Sequence, residues 1–196
     1  MLWIGQCKDP VSVLRLEQKG NDWEWREAAR TWAKAERQTK TNLFSRVGLG
    51  QKSIRFTMRK RSLSLHDAIL WQGKHCFLTE IKEIDRMYWE VTAALIEPVT
   101  CLVTDTRQTL DEFNRPVLQE EKVVSFPGFL TEKYLGFAQK EVSGETETTY
   151  VLVTPKAIVL KPGDLVQVGE IFYSVKIVHN LDEYKNEYEI HRKEDV

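Results

Sequence analysis

The chain has 196 residues, of which 42% are hydrophobic, and this is enough for one large domain or two small domains with buried cores. No stretch reaches the roughly 18 apolar residues that span a membrane, and the first nine residues do not resemble a secretory signal. The formal net charge is -1, but residues 1–98 carry 17 Lys and Arg against 12 Asp and Glu, whereas residues 99–196 carry 11 against 17. Oppositely charged halves suit head-to-tail contact between copies or two differently charged partners, with ordinary surface variation as the alternative.

The three cysteines, Cys7, Cys76 and Cys101, are an odd number and form no CxxC motif. They therefore predict neither a disulfide framework nor a zinc knuckle. The expected state is three reduced thiols in a cytosolic protein.

The first marked element is DWEWREAARTWAKAE, residues 22–36, which contains three tryptophans. Trp23 and Trp25 share a face if they lie on a strand, and the residues that follow them in this segment could form a second strand and so make a hairpin. The Ala, Glu and Arg content of residues 24–38 also allows a helix. Three tryptophans exceed the needs of a small core, so Trp23, Trp25 and Trp32 are candidates for a protein interface.

The next segment, SIRFTMRKR, alternates in the manner of a strand. The alternation places Arg55, Arg59 and Arg61 on one face and Lys60 on the other. Such a row of cations suits the lining of a channel that DNA passes, or contact with phosphates or a partner. The alternative is a solvated edge strand that its charge protects against aggregation.

The segment LWQGKHCFLTEI, residues 70–81, places His75 beside Cys76, with His66 and Asp67 upstream. Neighbours on a strand point to opposite faces, so His75 cannot serve as the base for Cys76. We expect a core Cys76 and an edge-facing His75. The chain has no GxSxG, GxxxxGK[ST], HExxH or GxGxxG motif, so no catalytic, metal or cofactor site is predicted. An enzyme that used His66, Asp67 or His75 would need a pocket that holds these side chains together.

The chain also contains an internal repeat. LWQGKHCFLTEI (70–81) matches VQVGEIFYSVKI (166–177) when Gly73 is placed on Gly169, and SIRFTMRKR (53–61) then matches TTYVLVTPK (148–156). This alignment places Ile171 and Phe172 opposite His75 and Cys76, and Lys161-Pro162 opposite His66-Asp67. The shared features are a glycine turn and an alternating apolar face, not the imidazole or the thiol.

The repeat predicts two tandem, related domains, residues 1–98 and 99–196, with a boundary near residues 98–106. Each domain is expected to have five or six short strands separated by turns, which is typical of a small β-barrel or β-sandwich. One short helix is expected in each, TKTNLFSRVGLG (39–50) and LTEKYLGFAQK (130–140), because apolar residues there recur at helical spacing. The predicted fold class is therefore mainly β with short helices.

The order of these elements over residues 11–96 resembles the head-tail joining, or head closure, family of tailed bacteriophages. The features are the strand Thr31-Trp32-Ala33-Lys34, an insertion, the strand Ile54-Arg55-Phe56, an apolar-x-x-Gly hairpin, and the turn from Ile81 to Asp85. In the second half DEFNRP (111–116), TEKYLGFAQK (131–140) and residues 163–193 resemble phage neck proteins. They depart from that pattern at Asn114, where glycine is usual, and at Tyr188-Glu189, where Leu-Tyr is usual.

The resemblance implies a virion assembly protein without catalytic activity, which forms a homo-oligomeric ring in the phage neck, with a monomer as the alternative for the free protein. The implied partners are the portal or adaptor ring and the tail proteins, with packaged DNA passing nearby and no membrane. The implied location is the host cytoplasm during assembly and then the virion. Open barrel edges would allow strand addition between subunits, and a loop within residues 37–52 or 111–128 would narrow the channel. The alternative function is a tandem barrel module that binds nucleic acid through residues 55–61.

Overall fold

The computed structural model describes residues 7–38, 53–105, 108–110, 116–118, 122–132 and 149–193. These ranges contain 14 strands and no helix, so the protein is mainly β. The strands are β1 Asp9–Lys19, β2 Asp22–Gln38, β3 Ser53–Arg59, β4 Asp67–Trp71, β5 Lys74–Ile84, β6 Tyr88–Leu95, β7 Val99–Asp105, β8 Gln108–Leu110, β9 Pro116–Leu118, β10 Lys122–Glu132, β11 Thr149–Pro155, β12 Leu165–Val168, β13 Ile171–His179 and β14 Lys185–Arg192.

The first six strands close into a barrel in the order β1-β2-β3-β6-β5-β4, with β4 pairing back to β1. Every pairing in this first barrel is antiparallel. The alternation of β3 explains its place, because Ile54, Phe56 and Met58 are fully buried inside while Arg55 and Arg59 point outward. The two arginines therefore share a face, as predicted.

The pairings of the later strands close a second circuit in the order β7-β10-β11-β14-β13-β12, with β12 pairing back to β7. All of these pairings are antiparallel as well. We call this circuit the second barrel. The hairpin of β8 and β9 lies between β7 and β10 in the chain and pairs with neither barrel.

The two barrels have the same strand order and the same register. Leu78 pairs with Ala93 just before a β-bulge in the first barrel, and Val175 pairs with Ile190 just before the matching bulge in the second. On β3 and β11, Phe56 and Leu152 occupy corresponding buried positions. The division into domains of residues 1–98 and 99–196 stays a prediction.

The sequence alignment of the repeat is one residue out of register, because the two glycine turns differ. In the first barrel Gln72 and Gly73 both have positive φ, 51° and 74°, as in a type I′ turn between Trp71 and Lys74. In the second barrel the glycine is the first turn residue: Gly169 has φ 62° and lies directly after Val168. His75 therefore corresponds to Phe172 and Cys76 to Tyr173, rather than to Ile171 and Phe172.

The helix that the composition of residues 24–38 allows is wrong, and so is a hairpin within residues 22–36. This segment is part of one 17-residue strand, β2, because β1 and β3 pair with its two edges. Tertiary pairing thus overrides the helical propensity of Ala, Glu and Arg. Residues 39–50, predicted as a helix, lie outside the described ranges. Of residues 130–140, the first three end strand β10 and the others lie outside those ranges.

The two barrels pack against each other through a shared apolar cluster, which we call the seam. Phe77, Ala94 and Ile96 of the first barrel meet Phe129, Val151 and Val153 of the second, and all six are buried. The strands β2 and β10 also form one parallel pairing, between Asp22 and Ser125. The outer faces of the barrels thus become interior where they meet.

Candidate functional site

The neighbours His75 and Cys76 point to opposite faces of β5, as predicted. Cys76 lies inside the first barrel, and burial, followed by the charge of Glu97, raises the pKa of its thiol to about 12. The expected edge-facing position of His75 is wrong, because the second barrel covers that face and leaves His75 only 4% exposed. Its imidazole lies in the seam, with ring centroids 5.3 Å from Trp25 and 5.4 Å from Phe129.

The chemistry of His75 is that of a buried neutral group. Neither ring nitrogen has a hydrogen-bond partner in the described part of the chain, and the same holds for Nε1 of Trp25. Burial lowers the pKa of His75 to about 4. The imidazole is therefore neutral at pH 7, and neither of its nitrogens is bonded to a nucleophile among the described residues.

The pair His66 and Asp67 does not join His75 in one pocket. Asp67 is a turn-forming residue, since its Oδ2 accepts hydrogen bonds from the backbone N of Ser64 at 2.8 Å and from its hydroxyl at 3.1 Å. Arg15 Nε contacts the other carboxylate oxygen at 3.3 Å. His66 lines a groove of about 430 Å³ between the barrels, and His75 does not.

The corresponding turn of the second barrel has the same aspartate. Oδ2 of Asp164 accepts a hydrogen bond from the backbone N of Lys161 at 2.7 Å, and the backbone N of Asp164 bonds to the carbonyl of Lys161 at 3.1 Å. In the first barrel the backbone N of Asp67 bonds to the carbonyl of Ser64 in the same way. The placement of Lys161-Pro162 opposite His66-Asp67 is therefore wrong, and Asp67 belongs to the shared architecture.

Of the four basic residues predicted as contacts, three already bind other residues of the first barrel. Arg55 Nε lies 3.7 Å from Glu90, and Arg61 donates to the backbone carbonyl of Arg30 at 3.1 Å. Lys60 pairs with Glu83 and lies 4.9 Å from the ring of Trp89. Strand β3 ends at Arg59, so Lys60 and Arg61 do not continue its alternation.

The fourth, Arg59, is exposed and makes no ion pair with any residue in the described ranges. It lies beside Trp32, which is 59% exposed, on the outer face of β2 and β3. A cavity of about 570 Å³ opens there, and we call its lining the Trp32 surface. The described residues that line it are Cys7, Lys8, Thr31, Trp32, Arg59 and Tyr88.

The other two predicted interface tryptophans lie elsewhere. Trp23 packs against the core of the second barrel, and Trp25 contacts His75 in the seam. Trp32 is therefore the one of the three whose indole is largely open to solvent. Sequence reasoning missed Lys8 and Tyr88, because residues from before β1 and from the start of β6 meet Trp32 only after the barrel closes.

A buried ion pair at the start of β14 was also missed. Lys185 Nζ lies 2.5 Å from Glu187 Oε1 and 3.3 Å from Asp182 Oδ2, and both Lys185 and Glu187 are buried. Burial disfavours the ammonium, but the hydrogen bond and charge of Glu187 outweigh it and raise the pKa of Lys185. Lys185 is also 5.9 Å from the ring of Tyr184, which packs on the seam.

No group of three or more His, Cys, Asp or Glu side chains is placed to hold a metal ion within the described ranges. No helix in that part of the chain is long and apolar enough to cross a membrane. Comparison with protein-family models, with curated proteins and with solved structures found no match for this chain. The candidate site is therefore the Trp32 surface, which is defined by geometry alone.

Proposed function

We propose that the protein is a structural component of a tailed bacteriophage or prophage particle, which joins the head to the tail and closes the DNA channel. The observation that carries this proposal is the placement of the segments that resemble the head-tail joining family. The strand with Trp32, the strand with Arg55, the hairpin at Gly73 and the turn at Asp85 are all parts of one closed barrel. A resemblance spread over one folded unit is stronger support than the same motifs scattered among unrelated elements.

The seam supports a mechanical role. Six buried side chains hold the barrels together, and the aromatic rings of Phe77 and Phe129 meet edge-on with centroids 5.0 Å apart. A connector that transmits position between two partners needs such a fixed link. The opposite charges of residues 1–98 and 99–196 suit two different partners, the portal or adaptor ring and the tail.

The two closed barrels limit the ways in which subunits could join. Neither barrel has a terminal edge strand, so strand addition is left with open edges along parts of long strands: among the described strands, β4 pairs with β5 only at residues 74–77, and residues 80–84 of β5 pair with β6 alone. In the same part of the chain, β8 and β9 alone pair outside a closed circuit. Subunits and partners would therefore bind through such open edges, through side chains on the barrel faces or through this hairpin.

The test is deletion of the gene from the parent phage or prophage, followed by electron microscopy of induced lysates. We expect separate tails beside heads that are empty or leak DNA, and rescue of complete particles when the gene is supplied in trans. Complete infectious particles from the deletion would contradict the joining role.

The alternative, nucleic-acid binding through residues 55–61, has one point of support in the structure. Arg59 and Lys8 flank the exposed indole of Trp32, and cations beside an aromatic ring suit single-stranded nucleic acid. Because Arg55, Lys60 and Arg61 have partners within the barrel, the cationic row is not available as a whole. A salt-dependent titration with an oligonucleotide, repeated on Arg59→Ala, tests this function.

A further inference from the structure

The Trp32 surface has the chemistry of a docking site. Its indole is exposed, Met87 at the adjoining β5–β6 turn is 47% exposed, and Arg59 and Lys8 add positive charge. A large exposed aromatic side chain beside cations fits a partner that offers an apolar side chain next to carboxylates. A partner of the Trp32 surface therefore needs an exposed apolar residue next to acidic residues.

The chain itself presents it, at the β13–β14 turn. Leu181 is 96% exposed at this turn, although leucine is an apolar residue. The next two residues are Asp182 and Glu183, both exposed. This turn, which we call the Leu181 turn, lies in the half of the chain that carries the excess of acidic residues.

We propose that the Trp32 surface binds the Leu181 turn of a second copy of this chain. In this contact Leu181 packs on the indole of Trp32. The carboxylate of Glu183 faces the side chains of Arg59 and Lys8, while that of Asp182 stays paired with Lys185. The proposed arrangement is head-to-tail: each copy uses its Trp32 surface on one neighbour and its Leu181 turn on the other, so one surface stays free at each end of an open chain of subunits.

The two surfaces do not meet within one chain, since none of the described residues that line the cavity at Trp32 belongs to the β13–β14 turn. On β2, Trp32 lies roughly 23 Å beyond Trp25, at about 3.3 Å per residue. Trp25 lies in the seam, and so does Tyr184, which follows the Leu181 turn and contacts Phe77. The Leu181 turn therefore lies next to the seam, whereas Trp32 is seven residues along β2 from the seam contact Trp25.

The use of this contact to build a ring in the phage neck rests on the proposed function. The contact itself is tested with the purified protein, so the two can fail separately. A gene deletion that yields normal particles contradicts the joining role only, and a protein that does not self-associate contradicts the contact only.

The experiment is sedimentation equilibrium of the full chain at protein concentrations up to about 1 mM, at low and high salt. We expect self-association that weakens with salt, and about tenfold or greater loss of affinity in Trp32→Ala and in Leu181→Asp. Val159→Asp is the matched control, because Val159 is 74% exposed but lies on neither surface. It is expected to associate like the wild type.

Mixing the variants tests whether the Trp32 surface of one copy meets the Leu181 turn of another, and wild-type species larger than a dimer distinguish the head-to-tail arrangement from a two-fold symmetric one. Trp32→Ala retains an intact Leu181 turn and Leu181→Asp retains an intact Trp32 surface, so an equimolar mixture is expected to form dimers and nothing larger. The charge reversals Arg59→Glu and Glu183→Arg are each expected to weaken association, and their combination in one chain is expected to restore it.

Four results would overturn the proposal. They are a wild type that stays monomeric throughout, equal losses in Val159→Asp and Leu181→Asp, a mixture that forms no dimer, and charge reversals without mutual rescue. If the wild type instead binds a single-stranded oligonucleotide that Trp32→Ala no longer binds, and does not self-associate, the Trp32 surface is a nucleic-acid site.

Discussion

The outer face of β10 and β11 in the second barrel is interior, whereas the corresponding face of β2 and β3 in the first barrel is open to solvent at Lys34 and Arg55, although Thr57 between them is buried. Phe129 pairs with Val153 across the former, and both are fully buried in the seam. Lys34 pairs with Thr57 at the corresponding position of the latter. The backbone is the same in both places, so the side chains alone decide which face a neighbour covers.

On the neighbouring strands, β6 and β14, a glutamate occupies the corresponding position in each barrel, and its exposure to solvent differs in the same way. Glu90 pairs across the strands with Thr57, and Glu187 with Val153. The Glu90 side chain is 25% exposed and meets Arg55, which is 42% exposed. The Glu187 side chain is 8% exposed and meets Lys185, which is 5% exposed. The same residue thus serves in a surface ion pair in one barrel and in a buried one in the other.

Removal of one partner from the buried pair is expected to have the largest effect. Lys185→Met leaves the carboxylate of Glu187 buried without its ammonium partner and is expected to cost about 3–5 kcal/mol in the free energy of unfolding. The double variant Lys185→Met/Glu187→Leu is expected to recover most of this loss. Urea unfolding of both variants measures the difference.

The surface pair provides the matched control. Arg55→Met is expected to cost at most about 1 kcal/mol, because water screens the charge of Glu90. Equal losses in Arg55→Met and Lys185→Met would contradict the contrast between the two faces. The raised pKa of Lys185 adds a pH signature: the stabilisation is complete below the pKa of an unfolded lysine and is lost as pH rises through the folded pKa.

A second contrast lies inside the barrels, at Ala33 and Gly128, which occupy corresponding positions of β2 and β10. A Cβ atom on Gly128 would lie 2.7 Å from Cδ1 of Leu152 and 2.8 Å from Sγ of Cys101. Gly128→Ala is therefore expected to destabilise the protein by up to about 3 kcal/mol through overpacking.

The reverse change, Ala33→Gly, removes a methyl group from a strand and is expected to cost about 1 kcal/mol. Thermal unfolding of both variants measures the ratio. A Gly128→Ala variant as stable as the wild type would show that Leu152 and Cys101 move aside at little cost.

A third contrast concerns His75 in the seam and its counterpart Phe172, which is 45% exposed. The unfolded chain binds a proton on His75 below pH 6.5, whereas the folded protein does so only below about pH 4. The contribution of His75 to the free energy of unfolding is therefore fully present above pH 6.5, and it falls by about 3 kcal/mol as the pH drops to about 4.

The variant His75→Phe removes this dependence and is expected to be more stable than the wild type by about 2 kcal/mol near pH 5. Urea unfolding between pH 4 and pH 7 measures it. His66→Phe is the control, since it makes the same substitution at an exposed histidine outside the seam. Parallel profiles for the wild type and His75→Phe would mean that water or a shifted neighbour satisfies the imidazolium.

The strand content and the inward alternation at Ile54, Phe56 and Met58 could be predicted from the sequence, because apolar residues at every second position are a local signal. The register of the repeat could not, because it depends on whether glycine is the first or the second residue of a hairpin turn. Nor could the burial of His75, since the covering residues come from a barrel formed by strands far along the chain. Of the residues on the Trp32 surface, only Trp32 and Arg59 were predicted as contacts from the sequence. Lys8 and Tyr88 could not be predicted, because they come close to Trp32 only when the barrel closes.

The smallest expected effects concern two lysines, Lys60 and Lys156. They test whether Lys60 stabilises the fold or binds a ligand. Lys60 and Lys156 follow β3 and β11 at corresponding positions, and the backbone N of each bonds to the carbonyl of a corresponding residue, Met87 or Tyr184. Lys156 Nζ donates to the backbone carbonyls of Asn180 and Asp182 at 2.7 and 2.6 Å, so it holds the β13–β14 turn.

Lys60→Met and Lys156→Met are therefore each expected to cost only about 0.5–1.5 kcal/mol in thermal unfolding, and more at Lys156, where two carbonyls lose a donor. Neither change is expected to alter oligonucleotide binding. A Lys60→Met variant of unchanged stability that loses oligonucleotide affinity would reverse this assignment. It would make the basic run at residues 55–61 a binding element in the first barrel that the second barrel lacks.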